Sequence, residues 1–277
     1  MVVPHSKTQV TRRHLLTLAA GALPATISAA YGTQPSKGGT SVFKDTRQEV
    51  SRKEAREGIL LARPTPVRHQ AALGRQALQL GGTRDGLLYV PAGYRTDRPA
   101  PLALLLHGAG GHAHHGLALL QHFADVSGLI LLAPESRRKT WDVILDAYGP
   151  DVVFIDRALV QTFRQYAVDP AHVAVGGFSD GASYALSLGL TNGDLFTHVI
   201  AFSPGFMAPT RQQGSPRLFI SHGTHDQVLP IDHCSRRIVP QLRRAGYDVR
   251  YREFDGPHTI LPAIAREAVE WFAWPRT

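Results

Sequence analysis

Residues 173–185 decide the fold, and they read Val173-Ala174-Val175-Gly176-Gly177-Phe178-Ser179-Asp180-Gly181-Ala182-Ser183-Tyr184-Ala185. The stretch begins with a short β-branched run, stops at two glycines and continues with small and apolar residues at helical spacing. This order predicts a strand that turns sharply into a helix. The turn carries Gly177-x-Ser179-x-Gly181, the pattern of a nucleophile elbow. The alternative is a glycine-rich turn that contains a serine by chance.

The two glycines of the pattern explain how such an elbow is built. To pass from strand to helix in one tight turn, Ser179 must adopt a strained backbone conformation. Side chains two residues before and after it would then collide with the turn, and glycine removes that collision. We therefore predict that the Ser179 hydroxyl is exposed above the sheet, where it can act as a nucleophile.

Strands and helices alternate on both sides of this stretch. Residues 101–106 are a continuous apolar run, which is typical of a strand buried on both faces of a parallel sheet. The alternation predicts the α/β class, with a mostly parallel central sheet and helices on both faces. The predicted strands are 76–80, 86–90, 101–106, 129–133, 173–176, 199–202, 218–221 and 249–254, and the predicted helices are 115–127, 152–166, 182–190, 232–245 and 261–272.

Composition excludes several classes of function. The chain has 277 residues, of which 43% are hydrophobic and 19% charged, as in a globular protein with a full core. Its net charge of +8 is mild and scattered, so we expect no nucleic-acid partner. The single cysteine, Cys234, excludes an internal disulfide. Beyond the first 30 residues no apolar run reaches the ~18 residues of a membrane span, and composition leaves the oligomeric state open.

The N-terminus has the features of an export signal. Adjacent Arg12 and Arg13 precede a mildly apolar run over residues 15–22, and small residues follow at 28–30. Residues 1–30 therefore predict a twin-arginine-type signal peptide, with the protein exported to the periplasm or secreted. The alternative, an amphipathic N-terminal helix, is disfavoured by Pro24. We expect a linker over residues 31–72 and one domain over residues 73–277.

Two further polar side chains follow predicted strands. Ligand sites of open parallel sheets lie at the carboxyl ends of the strands, and Asp226 and His258 come after strands 218–221 and 249–254. The order Ser179, Asp226, His258 is that of a Ser…Asp…His triad. We predict that Ser179 attacks a carbonyl carbon, that His258 takes its proton and that Asp226 orients the imidazole.

Neighbouring residues offer alternatives for these roles. Asp226 can be read as a turn-forming aspartate and His258 as a helix-entry histidine bonded to backbone. Asp255 is the second candidate for orienting the base, because it lies close to His258 in the sequence. Asp232 is interpreted as a helix N-cap, and His222 and His225 as loop residues that shape the turn.

A tetrahedral intermediate also needs donors for its oxygen. One is expected to be the backbone N–H of Asp180, directly after the nucleophile, and the other to come from the loop after strand 101–106. Within that loop, His107-Gly108-Ala109-Gly110-Gly111, we predict the N–H of Ala109, with Gly110 as the second choice. A plain glycine-rich turn is the alternative.

Two other signals are weaker. Five histidines lie close together in the sequence without a cysteine or carboxylate at ligand spacing, so we interpret them as solvated loop residues and predict no metal or cofactor; they are His107, His112, His114, His115 and His122. In the basic loop 136–141, Trp141 is a candidate for the wall of an acyl or aryl pocket, and Arg137 and Arg138 for contact with an acidic substrate. The alternative, a packing tryptophan beside solvated charges, is favoured.

With these residues assembled, the chain resembles the phospholipase/carboxylesterase branch of the α/β-hydrolase fold, close to polyhydroxybutyrate-depolymerase-like esterases. The likeness covers about residues 75–274 and is carried by Leu106-His107-Gly108, Gly177-Phe178-Ser179-Asp180-Gly181, Ser221-His222-Gly223-Thr224-His225-Asp226 and Pro257-His258. It implies cofactor-free hydrolysis of small carboxylic esters or thioesters through an acyl-enzyme. The export signal and the basic loop depart from a cytosolic thioesterase. A serine peptidase of the same fold and a non-catalytic binding protein on the same scaffold are the alternatives.

Overall fold

An eight-stranded sheet forms the centre of the described structure, a computed structural model that describes residues 50–67 and 72–273. Its order is β1-β2-β4-β3-β5-β6-β7-β8. The β1–β2 and β2–β4 pairs are antiparallel, and the remaining pairs are parallel. The strands are β1 Gly74–Ala77, β2 Gly86–Val90, β3 Ala100–Leu106, β4 Ile130–Pro134, β5 Val168–Phe178, β6 His198–Phe202, β7 Arg217–Gly223 and β8 Val249–Phe254. This arrangement confirms the predicted α/β class with a mostly parallel sheet.

Helices cover both faces of this sheet. They are α1 Arg52–Arg56, α2 Ala113–Ala118, α3 Gln121–Ser127, α4 Asp142–Leu145, α5 Pro150–Gln165, α6 Asp180–Thr191, α7 Ser235–Arg244 and α8 Pro262–Ala273. Buried side chains of α5, α6 and α7 pack on one face, and those of α2, α3 and α8 pack on the other. Successive residues of β3 point to opposite faces of the sheet. Leu102 and Leu104 are buried under the first group of helices and Leu105 under the second, and all three are fully buried.

Some predicted elements differ from the observed ones. The single helix expected over residues 115–127 is two helices, α2 and α3. The helix expected from Asp232 starts with a short 3-10 turn, and α7 begins only after Cys234. The N-cap interpretation of Asp232 is therefore wrong: its carboxylate lies on the surface and accepts a 2.8 Å hydrogen bond from Arg236 Nη1.

Residues 50–67 lie against the domain, although the sequence places them in a linker. Helix α1 begins with a capping box, in which the side chains of Ser51 and Glu54 each accept a hydrogen bond from the backbone N–H of the other residue. Leu60 is fully buried, and its N–H donates to Asn192 Oδ1 at 2.8 Å. The N–H of Ala62 donates to Asp156 Oδ1 at 2.8 Å. The predicted signal peptide, residues 1–30, and the rest of the N-terminal segment to residue 49 lie outside the described residues.

His198, the first residue of β6, predicts how stability responds to acid. It is buried with its ring centroid 4.9 Å from that of Trp271, and burial lowers its pKa to about 4, with Arg217 acting in the same direction. The folded-state pKa lies below the unfolded value near 6.5. The contribution of His198 to the free energy of unfolding is therefore complete above about pH 6.5 and is lost as the pH falls towards 4. Between about pH 7.5 and pH 4.5, the free energy of unfolding should fall by about 2 kcal/mol more in the wild type than in His198→Leu. Urea unfolding of both proteins at the two pH values measures this, and equal losses would contradict it.

Candidate active site

Ser179 lies at the junction of β5 and α6, as predicted for an elbow. Its backbone angles are φ 58° and ψ −120°, a left-handed conformation that is costly for a residue with a Cβ atom. The Ser179 N–H donates to Phe202 O of the neighbouring strand at 3.0 Å, which holds the strained residue in place. The residue is 8% exposed, so only a small part of it reaches solvent.

The flanking glycines are required by the close approach of backbone atoms. A Cβ atom added at Gly181 would lie 2.1 Å from Leu106 O, at the end of β3. One added at Gly177 would lie 2.3 Å from Gly181 O. The predicted reason for glycine at these two places is therefore confirmed: backbone atoms of the elbow lie too close to one another and to β3 to leave room for a Cβ atom.

Gly181→Ala is expected to damage both stability and the elbow. The added methyl group has no room against a backbone oxygen, so the free energy of unfolding should fall by about 1–3 kcal/mol. Gly93→Ala is the matched control, because a Cβ atom there meets nothing within 4 Å. Urea unfolding measures the difference, and equal stability of the two variants would contradict the packing argument.

Asp226 and His258 are in direct contact. His258 Nδ1 lies 2.6 Å from Asp226 Oδ2, and the Asp226 side chain has no exposed surface. The other carboxylate oxygen, Oδ1, accepts the N–H groups of Val228 at 2.9 Å and Leu229 at 2.8 Å. Burial alone would raise the pKa of Asp226, but these hydrogen bonds outweigh it and hold the pKa below its ordinary value. The ionised carboxylate therefore keeps the proton of His258 on Nδ1 and leaves Nε2 as an acceptor.

This pair lies beside the elbow. The ring of His258 lies 4.6 Å, centroid to centroid, from that of Phe178, the residue that precedes Ser179. Asp226, His258 and Ser179 follow the carboxyl ends of β7, β8 and β5, which meet at one edge of the sheet. The structure thus brings the three predicted residues to the same edge.

The neighbouring acidic and histidine residues at this edge do not contact His258 as Asp226 does. Asp255 is 90% exposed at its side chain and contacts His225 Nδ1 at 2.9 Å rather than His258. His222, interpreted from the sequence as a loop residue, lies in β7 and is fully buried. That interpretation is corrected because β7 runs two residues further than predicted. His222 instead contacts Asp226, with Nε2 3.1 Å from Oδ2.

The loop after β3 offers backbone N–H groups beside the elbow. A Cβ atom added at Gly108 would lie 3.5 Å from Ser179 Cβ, so the loop and the serine are neighbours. The N–H of Gly110 already donates to Lys139 O at 2.7 Å, and that of Gly111 to Gly108 O at 3.0 Å. Ala109 is exposed, and within the described residues no acceptor engages its N–H. This geometry favours Ala109 over Gly110. Asp180, the other predicted donor, is the first residue of α6, where N–H groups have no partner within the helix.

Trp141 supports this loop from within the core. It is fully buried, its Nε1 donates to His107 O at 2.8 Å, and its ring stacks on Tyr184 at 5.3 Å. Trp141 is therefore no candidate for the wall of a substrate pocket, because it has no surface to present, and the favoured alternative, a packing tryptophan, is the one observed. His107 is held in turn, since its Nδ1 lies 2.7 Å from Gly108 O and its Nε2 accepts the N–H of Ser136 at 3.1 Å.

The basic loop also contacts the residue after the nucleophile. Thr140 Oγ1 donates to Asp180 Oδ2 at 2.6 Å, which fixes the residue whose N–H is a predicted donor. No sequence signal identifies this contact. Arg137 is occupied in the fold: its guanidinium lies 3.6 Å from the centre of the Phe154 ring, and Nη2 donates to Glu135 O at 2.8 Å. Arg138 and Lys139 are exposed.

The histidine-rich segment forms ring contacts. His112 lies 3.9 Å from His115 and 5.6 Å from His114, measured between ring centroids. Across residues 50–67 and 72–273, no three His, Cys, Asp or Glu side chains converge in a way that would hold a metal ion. In the same part of the chain, no helix is both long and apolar enough to cross a membrane.

Comparisons with known proteins find similar sequences among esterases. Residues 154–268 match the family model of the phospholipase/carboxylesterase proteins. NocK of Nocardia uniformis subsp. tsuyamanensis, which is assigned as an esterase, is 31% identical over 185 residues, 61% of this chain and 53% of its own length. Feruloyl esterase C of Emericella nidulans is 29% identical over 171 residues, 59% of this chain and 62% of its own length. The chain thus covers less than two thirds of either relative.

A solved structure extends the likeness to three dimensions. The crystal structure of esterase PE8 is 25% identical, covers 67% of this chain and 96% of its own, and has a TM-score of 0.56. Its similarity agrees with the mostly parallel sheet and covering helices described above. The chain has the α/β-hydrolase fold, and its residues 154–268 are similar to the phospholipase/carboxylesterase family.

Proposed function

We propose that the chain is a serine hydrolase of carboxylic esters, with Ser179 as nucleophile, His258 as general base and acid, and Asp226 as the residue that orients His258. One observation carries the proposal: a 2.6 Å contact joins a buried carboxylate to an imidazole beside a serine with φ 58° on a strand-to-helix turn. An imidazole whose Nδ1 proton is held by a carboxylate presents Nε2 as the acceptor that a serine hydroxyl requires.

The reaction begins with acylation of the serine. Ser179 Oγ attacks the carbonyl carbon of the ester while its proton passes to His258 Nε2. The negative charge that develops on the carbonyl oxygen is stabilised by the N–H groups of Ala109 and Asp180. When the intermediate collapses, the bond to the alcohol oxygen breaks, and His258 gives the proton to the departing alcohol.

Deacylation follows the same path with water. His258 takes a proton from a water molecule, whose oxygen attacks the acyl carbon, and the second intermediate is held by the same two N–H groups. The bond to Ser179 Oγ then breaks, Ser179 recovers its proton from His258, and the carboxylic acid leaves.

Apolar side chains at the same sheet edge support a substrate with an apolar or aromatic part. Val228, Leu145 and Phe206 are 65%, 40% and 36% exposed, and they lie in segments that follow β7, β4 and β6. Small-molecule sites typically combine apolar and aromatic side chains with a few polar groups. The relative named feruloyl esterase C acts, by its name, on an aromatic acyl ester, which agrees with such a substrate.

A substrate panel tests the proposal. It contains p-nitrophenyl esters of increasing acyl length, a hydroxycinnamoyl ester, an aliphatic polyester, a thioester and a peptide amide. We expect turnover of the esters and little or none of the amide. Preferred turnover of the amide would support the peptidase alternative instead. Failure of the wild type to react with a fluorophosphonate, together with inactivity on the whole panel, would support a non-catalytic scaffold.

We further propose that residues 1–30 direct export of the folded protein. The adjacent Arg12 and Arg13 before a mildly apolar run support this. Replacement of both arginines by lysine should retain the protein in the cytoplasm of a bacterial host, as measured by cell fractionation. Unchanged export of the double variant would contradict the twin-arginine route.

A further inference from the structure

His222 is a buried histidine behind the proposed triad. It lies in β7 opposite Glu253 of β8, and its side chain has no exposed surface. Its Nε2 lies 2.8 Å from Leu229 O and 3.1 Å from Asp226 Oδ2. Its Nδ1 lies 2.7 Å from Ser235 Oγ, at the start of α7, and Ser235 is also fully buried. Every polar atom of this imidazole therefore has a protein partner.

The partners determine where the proton of His222 lies. Leu229 O is a carbonyl and the Asp226 carboxylate is ionised, so both accept hydrogen bonds and neither can donate. Nε2 must therefore carry a proton. Burial lowers the pKa of His222, which favours the neutral ring, so Nδ1 is an acceptor and Ser235 Oγ–H donates to it. Leu229 O and Asp226 thus select the Nε2–H tautomer, and Ser235 complements it as the donor to Nδ1.

The same N–H holds the segment that carries Asp226. Leu229 accepts from His222 through its carbonyl and donates through its own N–H to Asp226 Oδ1 at 2.8 Å. The positive end of the His222 N–H also lies beside Oδ2, the oxygen that contacts His258. His222 is therefore placed to fix both the turn after Asp226 and the oxygen that orients the base.

We propose that His222, held as the Nε2–H tautomer by Leu229 O and Asp226 and bonded at Nδ1 by Ser235, is a positioning residue of the hydrolase: it locks the turn 226–229 and Asp226 Oδ2, and through them the imidazole of His258. This inference rests on the proposed function of Ser179, Asp226 and His258. It adds two residues to the site, His222 and Ser235, that act through Asp226 and do not touch the substrate.

Kinetics of matched variants test the proposal. His222→Leu removes the donor and should lower kcat for a p-nitrophenyl ester about 10- to 100-fold, with KM changed less than about twofold. His222→Gln places an amide N–H near the position of Nε2 and should recover most of that loss. Ser235→Ala should give an intermediate kcat. His198→Leu is the control, because His198 is also buried but lies at the opposite end of the sheet strands; its kcat per folded molecule should equal that of the wild type.

Nitrogen NMR of the histidine rings supplies a readout independent of turnover. In the wild type at neutral pH, His222 should be neutral with its proton on Nε2, and Ser235→Ala should keep that tautomer but shift the Nδ1 resonance, because Nδ1 loses its donor. The ionisable groups facing His222 are Asp226, His258 and Glu253, so the spectra are compared at a pH where both carboxylates are ionised. A wild-type His222 protonated on Nδ1 would overturn the proposal.

The outcomes separate this inference from the function on which it rests. If the wild type hydrolyses the ester, Ser179→Ala does not, and His222→Leu keeps the wild-type kcat, the positioning role is refuted while the function stands. A loss in His222→Leu that His222→Gln does not rescue, matched by an equal loss in His198→Leu, would also refute it, because general destabilisation would then explain both. An inactive wild type would refute the proposed function, and the NMR tautomer would still decide how His222 is held.

Discussion

Ser179→Ala should lower kcat for ester hydrolysis by about ten-thousandfold or more, because no other group can form the acyl-enzyme. The fold should persist, since alanine keeps the Cβ atom and the φ of 58° that serine already tolerates. The measurement is steady-state turnover of a p-nitrophenyl ester at equal concentrations of folded protein. Ser127→Ala, in α3 and away from the elbow, is the control and should keep wild-type activity.

Ser179→Gly separates strain from chemistry in the same experiment. It removes the nucleophile as alanine does, but it also relieves the left-handed strain, so its free energy of unfolding should exceed that of Ser179→Ala by about 1 kcal/mol. Retained turnover in either variant would end the assignment of Ser179. Equal stability of the two would show that the backbone at residue 179 is unstrained.

Asp226→Asn should lower kcat by about a thousand- to ten-thousandfold. Oδ1 accepts the N–H groups of Val228 and Leu229, so the amide oxygen must occupy that position and the amide NH2 must replace Oδ2. The NH2 group then donates to His258 Nδ1 and forces the imidazole proton onto Nε2. In that tautomer His258 cannot accept the proton of Ser179.

Asp255→Asn is the matched control for this substitution. Asp255 lies close to His258 in the sequence, but it is exposed and contacts His225. Its replacement should change kcat by less than about twofold, as expected for a surface ion pair. A larger loss in Asp255→Asn than in Asp226→Asn would transfer the orienting role to Asp255.

Local pattern predicted much of the fold and of the site. The elbow was predictable because a strand, two glycines and a helix are all encoded within about a dozen residues, and the collision that glycine avoids arises within that turn and at the strand beside it. Asp226 and His258 were predictable because parallel strands end at one edge, so residues that follow them converge. Both inferences need only the alternation of strands and helices.

Contacts between distant segments were not predictable in this way. Trp141 follows a strand that ends at the site edge, but whether it faces solvent or Tyr184 depends on how α6 packs. The attachment of residues 50–67 relies on Asn192 and Asp156, much later in the chain. The choice between Ala109 and Gly110 depends on Lys139 O, which belongs to another loop.

By itself, the sequence determined the parallel sheet, the strained serine turn and the strand ends at which Asp226 and His258 lie, because each follows from chain periodicity and from the steric limits of a short turn. The tertiary structure alone decided which N–H groups are free, which carboxylate meets the imidazole and that His222 is enclosed behind it. Hydrogen bonds and burial depend on groups that meet only when separate strands and loops pack together.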